Sequence, residues 1–150
     1  MWVTVYTDAS YTPEAAGWAI WAKSEKGRIA VNGSIPLSFR VPHAGVAEYF
    51  AIWKGMTLVL EKWKNEVEGL LVCNDCTQAL RNVWPWVTPS SDFMQIRREI
   101  EKIREKVEIR TKWVRGHQVP RETKFWLNNW CDRKSREARC SLELLKCSRE

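Results

Sequence analysis

The chain has 150 residues, of which 45% are hydrophobic and 28% are charged, enough for one domain to form a core without disulfides or structural metals. The net charge of +6 permits a polyanionic partner but is equally compatible with a solvated basic surface. An odd count of five cysteines argues against a disulfide framework, and no apolar stretch approaches the roughly 20 residues that span a membrane.

The first third of the chain has the residue pattern of β-strands. Residues Trp2–Ala9 are rich in β-branched and aromatic side chains, and Gly17–Lys23 and Arg28–Leu37 continue this pattern. A turn at Glu25–Gly27 separates the last two segments. The sequence therefore predicts three consecutive antiparallel strands.

A change of periodicity after Pro42 predicts a helix of about five turns. Apolar residues from Tyr49 to Trp63 recur at i, i+3, i+4 and i+7, the spacing of an amphipathic helix. The continuous apolar run Gly69–Cys73 then indicates a strand buried on both faces, which is typical of parallel pairing.

The last part of the chain alternates helices with one strand. A short helix should follow from Thr77, a polar helix should span Asp92–Lys106, and the alternation in Val107–Trp113 predicts a half-buried strand. A final helix is expected from about Trp126 toward Leu145. The order β-β-β-α-β-α-α-β-α predicts an α/β fold with a mixed sheet. We expect a single domain over residues 1–150, with 142–150 as a C-terminal helical tail.

Four carboxylates fall at informative places in this pattern. Asp8 is expected at the end of the first strand, Glu48 in the first turns of the long helix, Asp75 after the buried strand and Asp132 near the start of the last helix. Sites in open α/β sheets gather at the carboxyl ends of strands, where Asp8 and Asp75 would meet if their strands are neighbours.

Each carboxylate also has a plainer interpretation. Asp8 could end a strand in a turn, Asp75 could cap a helix, Glu48 could be a favourable first-turn charge and Asp132 could be solvated surface. For each carboxylate taken singly, the plain interpretation is favoured. Because all four fall where a single site could form, a shared functional site is favoured for the set.

Clustered carboxylates repel one another unless cations lie between them, and hard oxygen ligands select Mg²⁺ or Mn²⁺. Two such ions would stabilise the attacking and leaving oxygens of a phosphodiester. His117, on a loop after Gly116, is suited to proton transfer near neutral pH, although it could also be an ordinary loop residue.

The sequence resembles the ribonuclease H type 1 family over nearly its whole length. The matching segments are Val5–Ser10, Ala47-Glu48, Leu71–Asp75, Trp113–His117 and Asn128–Asp132. The resemblance implies a ribonuclease H-like fold with a five-stranded mixed sheet flanked by helices. It also implies catalytic roles for Asp8, Glu48, Asp75, His117 and Asp132, with the four carboxylates holding two Mg²⁺ ions. The implied activity is endonucleolytic hydrolysis of the RNA strand of RNA–DNA hybrids, leaving a 5′-phosphate.

One departure from the family keeps other functions open. Cellular members often have asparagines before the helix glutamate, where this chain has His43-Ala44-Gly45-Val46. A DNA-directed nuclease or resolvase on the same fold is therefore the main alternative, and a non-catalytic nucleic-acid-binding module is the next. We expect a cytoplasmic protein, because the N-terminus lacks a secretory signal pattern, and we also expect a monomer.

Substrate contacts are less specific in the sequence. Ser10 and Thr77 flank the proposed ligands and could bond phosphate or 2′-hydroxyl groups. Four cations are candidates for phosphate contacts, although a solvated charge is as plausible for each: Lys112, Arg115, Arg121 and Lys124. For Trp84 and Trp86, core packing is favoured over stacking on a sugar or base.

Overall fold

The computed structural model describes residues 1–114 and 130–141. Residues Arg115 and His117, and the tail 142–150, lie outside the described residues.

A five-stranded mixed sheet forms the centre of the molecule. Its strands are β1 (Trp2–Tyr11), β2 (Ala16–Ser24), β3 (Gly27–Ser34), β4 (Gly69–Asn74) and β5 (Glu108–Trp113). They lie in the order β3-β2-β1-β4-β5, with antiparallel pairs among the first three and parallel pairs from β1 to β4 and from β4 to β5. The predicted mixed sheet is confirmed.

The third strand is shorter than predicted. It ends at Ser34, whereas the sequence pattern extended it to Leu37. Ile35 still donates its N–H to the carbonyl of Ala16 at 2.9 Å, but Ala16 is the first residue of β2. Ala15 before it bonds back to Thr12 in the turn from β1, so no strand residue lies opposite Pro36 or Leu37. The chain therefore leaves the sheet at Pro36 and turns, with the N–H of Phe39 bonded to the Pro36 carbonyl.

Helix α1 (Ala44–Lys62) packs against one face of the sheet, and Gly55 sets how closely it approaches. A Cβ at this position would lie 2.9 Å from the Thr7 side chain and 3.0 Å from that of Val5. The helix begins after the extended residue His43 rather than at Pro42. Its buried face packs on the apolar side chains of β1, β2 and β4 to form the core.

The segment between β4 and β5 contains two helices and a tryptophan-bearing loop. Helix α2 spans Thr77–Arg81, a 3-10 turn spans Ser91–Phe93 and helix α3 spans Met94–Arg104, so the predicted helix 92–106 begins as a 3-10 turn.

Core packing is the wrong interpretation for Trp86, which is 75% exposed. Its ring lies 5.4 Å from that of Trp84, which is half-buried and donates its indole N–H to the Thr111 hydroxyl at 2.9 Å.

A buried arginine holds this loop against α3. Arg97 is 8% exposed and donates to three loop carbonyls, those of Asn82 and Val87 at 3.0 Å and that of Pro85 at 3.1 Å. Its Nε also pairs with Glu101 at 2.7 Å. The loop conformation therefore depends on one side chain that satisfies several main-chain acceptors at once.

We expect Arg97→Met to reduce the free energy of unfolding by about 3 kcal/mol, because loop carbonyls and Glu101 lose a charged donor together. Urea denaturation would measure this change. Arg98→Met is the matched control, since Arg98 is the exposed neighbour on the same helix, and it should change stability by no more than about 0.5 kcal/mol. Equal effects of the two substitutions would contradict the assigned role.

Residues 130–141 are helical and lie on the sheet face opposite α1. A Cβ on Gly17 would meet the Ser135 carbonyl, and the side chains of Asn32 and Ser34 donate to the carbonyls of Lys134 and Ala138. This helical segment therefore covers the end of the sheet face where β1 and β2 extend past the parallel strands.

Within the described residues, no helix combines the length and apolar character needed to cross a membrane.

Candidate active site

Two aspartates meet where the parallel pairing of β1 and β4 stops. The last parallel pair is Tyr6 with Cys73, and each aspartate comes two residues later, Asp8 within β1 and Asp75 directly after the end of β4. Asp8 is not at the end of its strand, as the sequence pattern suggested, because β1 continues to Tyr11 in antiparallel pairing with β2. It therefore has an ordered strand conformation and no parallel neighbour on its β4 side.

Helix α1 brings a third carboxylate to the same place. Glu48 lies seven residues before Gly55, two helical turns along the same face, so the close approach at Gly55 directs Glu48 to the ends of the strands. Oxygen atoms of Asp8, Glu48 and Asp75 all lie within 4.8 Å of one another. The structure thus brings together three of the four carboxylates in one cluster.

The fourth carboxylate lies beside this cluster. Asp132 is close enough to Asp8 to raise the pKa of that carboxyl, but it is not one of the three residues within 4.8 Å of one another. Its own carboxylate forms an ion pair with Arg136 at 3.0 Å, one turn further along the helical segment. Asp132 is therefore partly neutralised by a cation of its own helix.

The plainer interpretations of Asp8, Glu48 and Asp75 do not hold in the structure, whereas that of Asp132 as helix surface is not contradicted, since its side chain is 18% exposed. Cys76, not Asp75, is the N-cap of α2, and the first turn of α1 contains no acidic residue, so Glu48 is not a first-turn charge. Asp8 lies in a strand rather than in a turn. His117 and Arg115 lie outside the described residues.

Asn74 is a site residue that the sequence analysis did not select. It is fully buried, and its amide donates at 3.0 Å to the main-chain and hydroxyl oxygens of Thr7 and to the Glu48 carboxylate. Its side-chain oxygen accepts the Cys76 N–H at 2.7 Å. This asparagine thus joins β1, α1 and the start of α2. The available signal was a polar residue that ends an otherwise apolar strand.

Trp113 is a second residue of the site that the sequence analysis did not select for a role. It ends β5, is 51% exposed, and donates its indole N–H to the main-chain carbonyl of Asp75 at 3.0 Å. The contact fixes the backbone that carries Asp75 and places an exposed aromatic ring next to the cluster.

The site accumulates negative charge in a buried place. Asp8 is 2% exposed, and its pKa is raised well above the ordinary value by burial and then by the charges of Glu48, Asp75 and Asp132. Burial, followed by the Asp75 charge, raises the pKa of Glu48 to about 8 despite the opposing hydrogen bond from Asn74. Both carboxylates are therefore unfavourable when ionised without a counter-charge.

One oxygen of Asp8 has no donor. Oδ1 accepts the Ala9 N–H at 2.9 Å, but the buried Oδ2 has no hydrogen-bond partner in the described part of the chain. A buried acceptor without a donor is rare in folded proteins. Hard oxygen ligands around such an atom suit Mg²⁺ or Mn²⁺, so the residues present fit a divalent cation.

The candidate substrate residues lie at different depths around this cluster. Ser10 is buried and pairs with Gly17 in the sheet, whereas Thr77 is exposed at the start of α2. Lys112 is exposed on β5, where it pairs with Cys73.

No known family model matches the sequence, and no curated protein matches it. Solved structures do match, over nearly the whole chain. The N-terminal RNase H domain of a Mycobacterium tuberculosis protein gives a TM-score of 0.73 at 16% identity, covering 97% of this chain and 98% of that one. RNase H1 from the archaeon Halobacterium salinarum gives a TM-score of 0.70 at 17% identity and covers 92% of this chain and 97% of that one.

A third structure, LC11-RNase H1 in complex with an RNA/DNA hybrid, gives a TM-score of 0.65 at 19% identity and covers 93% of this chain and 97% of that one. At these identities the comparisons show the fold. The chain has the ribonuclease H fold that its sequence motifs predicted.

Proposed function

We propose that the chain is a metal-dependent endonuclease, a ribonuclease H that hydrolyses the RNA strand of RNA–DNA hybrids and leaves a 5′-phosphate. The observation that carries the proposal is the buried, donor-free Oδ2 of Asp8 within a cluster of three carboxylates at the strand ends. The fold supports the same activity, since structures of this shape include an RNase H1 bound to a hybrid.

Asp8, Glu48 and Asp75 would hold the cation, with Asp132 beside Asp8 as a fourth ligand, and we propose two Mg²⁺ ions, with Mn²⁺ as an alternative. When bound, such a pair supplies Lewis acidity to the attacking and leaving oxygens of a phosphodiester. Asn74 orients the Glu48 carboxylate through its hydrogen bond. We assign proton transfer to His117 because an imidazole titrates near neutral pH.

Substrate contacts remain part of the proposal. Thr77 is exposed directly after the cluster and can reach a phosphate or a 2′-hydroxyl, and the exposed ring of Trp86 can stack on a sugar or base. Ser10, Lys112 and Arg115 complete the set that the sequence suggested. We expect the protein to act as a monomer.

A substrate panel tests the function. The purified chain is incubated with a hybrid, double-stranded RNA, double-stranded DNA and both single strands of one sequence, with Mg²⁺ or with EDTA. We expect metal-dependent cutting of the RNA strand in the hybrid only, with 5′-phosphate ends. Preferential cutting of DNA would favour a DNA-directed nuclease, and binding of the hybrid without any cutting would favour a non-catalytic module.

We expect Asn74→Ala to weaken Mg²⁺ binding by roughly 10–100-fold, the usual cost of removing a partner that orients a metal ligand. Calorimetric titration of the metal-free protein measures this directly, without reference to turnover. Asn82→Ala is the matched control, because Asn82 is another buried asparagine whose amide bonds a helix carbonyl, that of Gln78. Equal metal affinities in the two variants would exclude a positioning role for Asn74.

A further inference from the structure

Part of the sheet face opposite α1 is open to solvent. Strand alternation puts Trp2, Thr4 and Tyr6 on this face, because Val5 and Thr7 contact α1 on the other. The pairing register extends the face across the sheet as two rows of neighbouring residues. One row is Ala30, Trp21, Tyr6, Cys73 and Lys112, and the next is Arg28, Lys23, Thr4, Leu71 and Arg110. We call these two rows, with Trp2, the open face. Its exposed parts are the two ends of the rows, since Cys73 in the first row is 1% exposed and the Cys131 sulfur lies 3.7 Å from the Tyr6 carbonyl.

The open face presents three aromatic rings. Tyr6 and Trp21 pack edge to face with their ring centroids 5.9 Å apart, and both are half-buried. Trp2 is 37% exposed, and its ring covers Gly69, where a Cβ would lie 2.5 Å from the indole. The glycine thus allows the indole to lie over the neighbouring strand. Such rings form a platform on which planar groups can stack.

Four cations accompany these rings, and the one acidic residue in register with them in the described strands is Glu108, in the row of Trp2. Lys23, Arg28, Arg110 and Lys112 are all exposed. Arg28 lies over the Trp21 ring at 5.8 Å and Arg110 over the Trp2 ring at 4.6 Å. The nearest acid on β5, Glu108, is already paired with Arg110 at 2.9 Å. The open face therefore carries an excess of positive charge beside its aromatic rings.

We propose that the open face is a second nucleic-acid surface that binds single-stranded RNA or DNA, on the opposite side of the sheet from α1. Unpaired bases can stack on the rings, and the phosphates of the same strand complement Lys23, Arg28 and Arg110. Lys112 is also among the contacts proposed for the hybrid, so the two surfaces meet at this residue. A duplex would not use the rings, because its bases are already stacked inside the helix. Tryptophan, tyrosine and arginine are also enriched in protein–protein interfaces, but lysine is depleted there, so the two lysines favour a phosphate backbone over a protein partner.

The test is binding in EDTA, which removes cleavage from the measurement and makes it independent of the proposed activity. Fluorescence anisotropy follows a labelled oligothymidylate of about 12 nucleotides, a length within the range that a single binding domain covers. We expect Trp21→Ala to weaken binding at least about 5-fold, the lower limit for loss of one base–aromatic stack. Trp21→Phe should retain most of the affinity, and it also keeps the test valid if the alanine variant does not fold.

A charge variant tests the electrostatic part. We expect Lys23→Gln combined with Arg28→Gln to reduce the slope of log affinity against log salt by about 1.4, or about 0.7 for each lost phosphate contact on a single strand. The matched control is Lys62→Gln combined with Lys102→Gln, which removes the same charge from exposed sites on α1 and α3. The proposal is overturned if the oligonucleotide does not bind, if both double variants weaken it equally, or if a duplex of the same length binds as tightly.

Discussion

Asp8→Asn should abolish metal-dependent cleavage of the hybrid and at the same time stabilise the metal-free fold. The amide keeps the shape of the side chain and can still accept the Ala9 N–H through its oxygen. It removes an ionisable group whose charged form is opposed by burial and by Glu48, Asp75 and Asp132. Activity should fall by more than about 100-fold, because even loss of an outer partner of a ligand costs roughly 10–100-fold.

Two measurements on the same protein separate catalysis from folding. A hybrid-cleavage assay in Mg²⁺ follows activity, and thermal unfolding in EDTA follows stability. The melting temperature should rise by several degrees, since about 1 kcal/mol shifts a domain of this size by roughly 2–4 °C.

Asp92→Asn is the matched control, because Asp92 lies on the 3-10 turn beside His43 and not in the cluster. It should leave both quantities nearly unchanged. An active Asp8→Asn protein would remove Asp8 from the metal site, and an unstable inactive one would make its role structural.

Much of the fold could be predicted because the local pattern and the final packing agree. The apolar run Gly69–Cys73 has no alternation, and β4 is indeed the strand with parallel neighbours on both sides. The period of α1 identified its buried face, which packs on the sheet. These predictions depend only on which side chains are apolar enough to be buried and on how those side chains are spaced along the chain.

Other features could not be predicted because they depend on contacts between distant parts of the chain. β3 ends before Leu37 because its partner β2 begins only at Ala16, and the turn that carries Ala15 leaves no strand residue opposite Leu37. The exposure of Trp86 depends on how Arg97 holds the loop, and no spacing in the sequence links those two residues.

The candidate site shows the same division. The motif around Asp8, Glu48 and Asp75 was visible in the sequence, because the predicted order of strands and helix brings all three carboxylates to one edge of the sheet. The bridging role of Asn74 was not visible, because it requires Thr7 and Glu48 to lie within hydrogen-bond distance of one amide. Tertiary geometry, rather than residue type, makes Asn74 part of the site.

The metal-free protein should lose stability as the pH rises from about 5 to 8. The pKa of Glu48 is about 8 in the fold and near the ordinary 4.5 when unfolded, and the pKa of Asp8 is raised in the same sense. Between these values the folded protein binds more protons than the unfolded chain. The free energy of unfolding must then fall with increasing pH. Each of these two carboxyls contributes its full stabilisation below the pKa that it has in the unfolded chain. That stabilisation is lost as the pH rises through the pKa that the group has in the fold.

Urea denaturation in EDTA at pH 5, 6.5 and 8 measures this dependence. Each pKa unit corresponds to about 1.4 kcal/mol, so a loss of a few kcal/mol is expected across the range. The double variant Asp8→Asn and Glu48→Gln is the control, and its profile should be flatter because both raised groups are gone. The difference between the two profiles isolates the cluster from every other titrating residue.

Mg²⁺ should largely remove this dependence. A cation binds the ionised carboxylates and competes with protons for them, so its stabilising effect grows as the pH rises. In excess Mg²⁺ the native protein should therefore be more stable at pH 8 than in EDTA, while the double variant should show no such gain. A wild-type profile in EDTA that is flat or rises with pH would mean that Asp8 and Glu48 are not held as an unneutralised pair. Mg²⁺ would then have no charge repulsion to relieve, and the main argument for a metal site would fail.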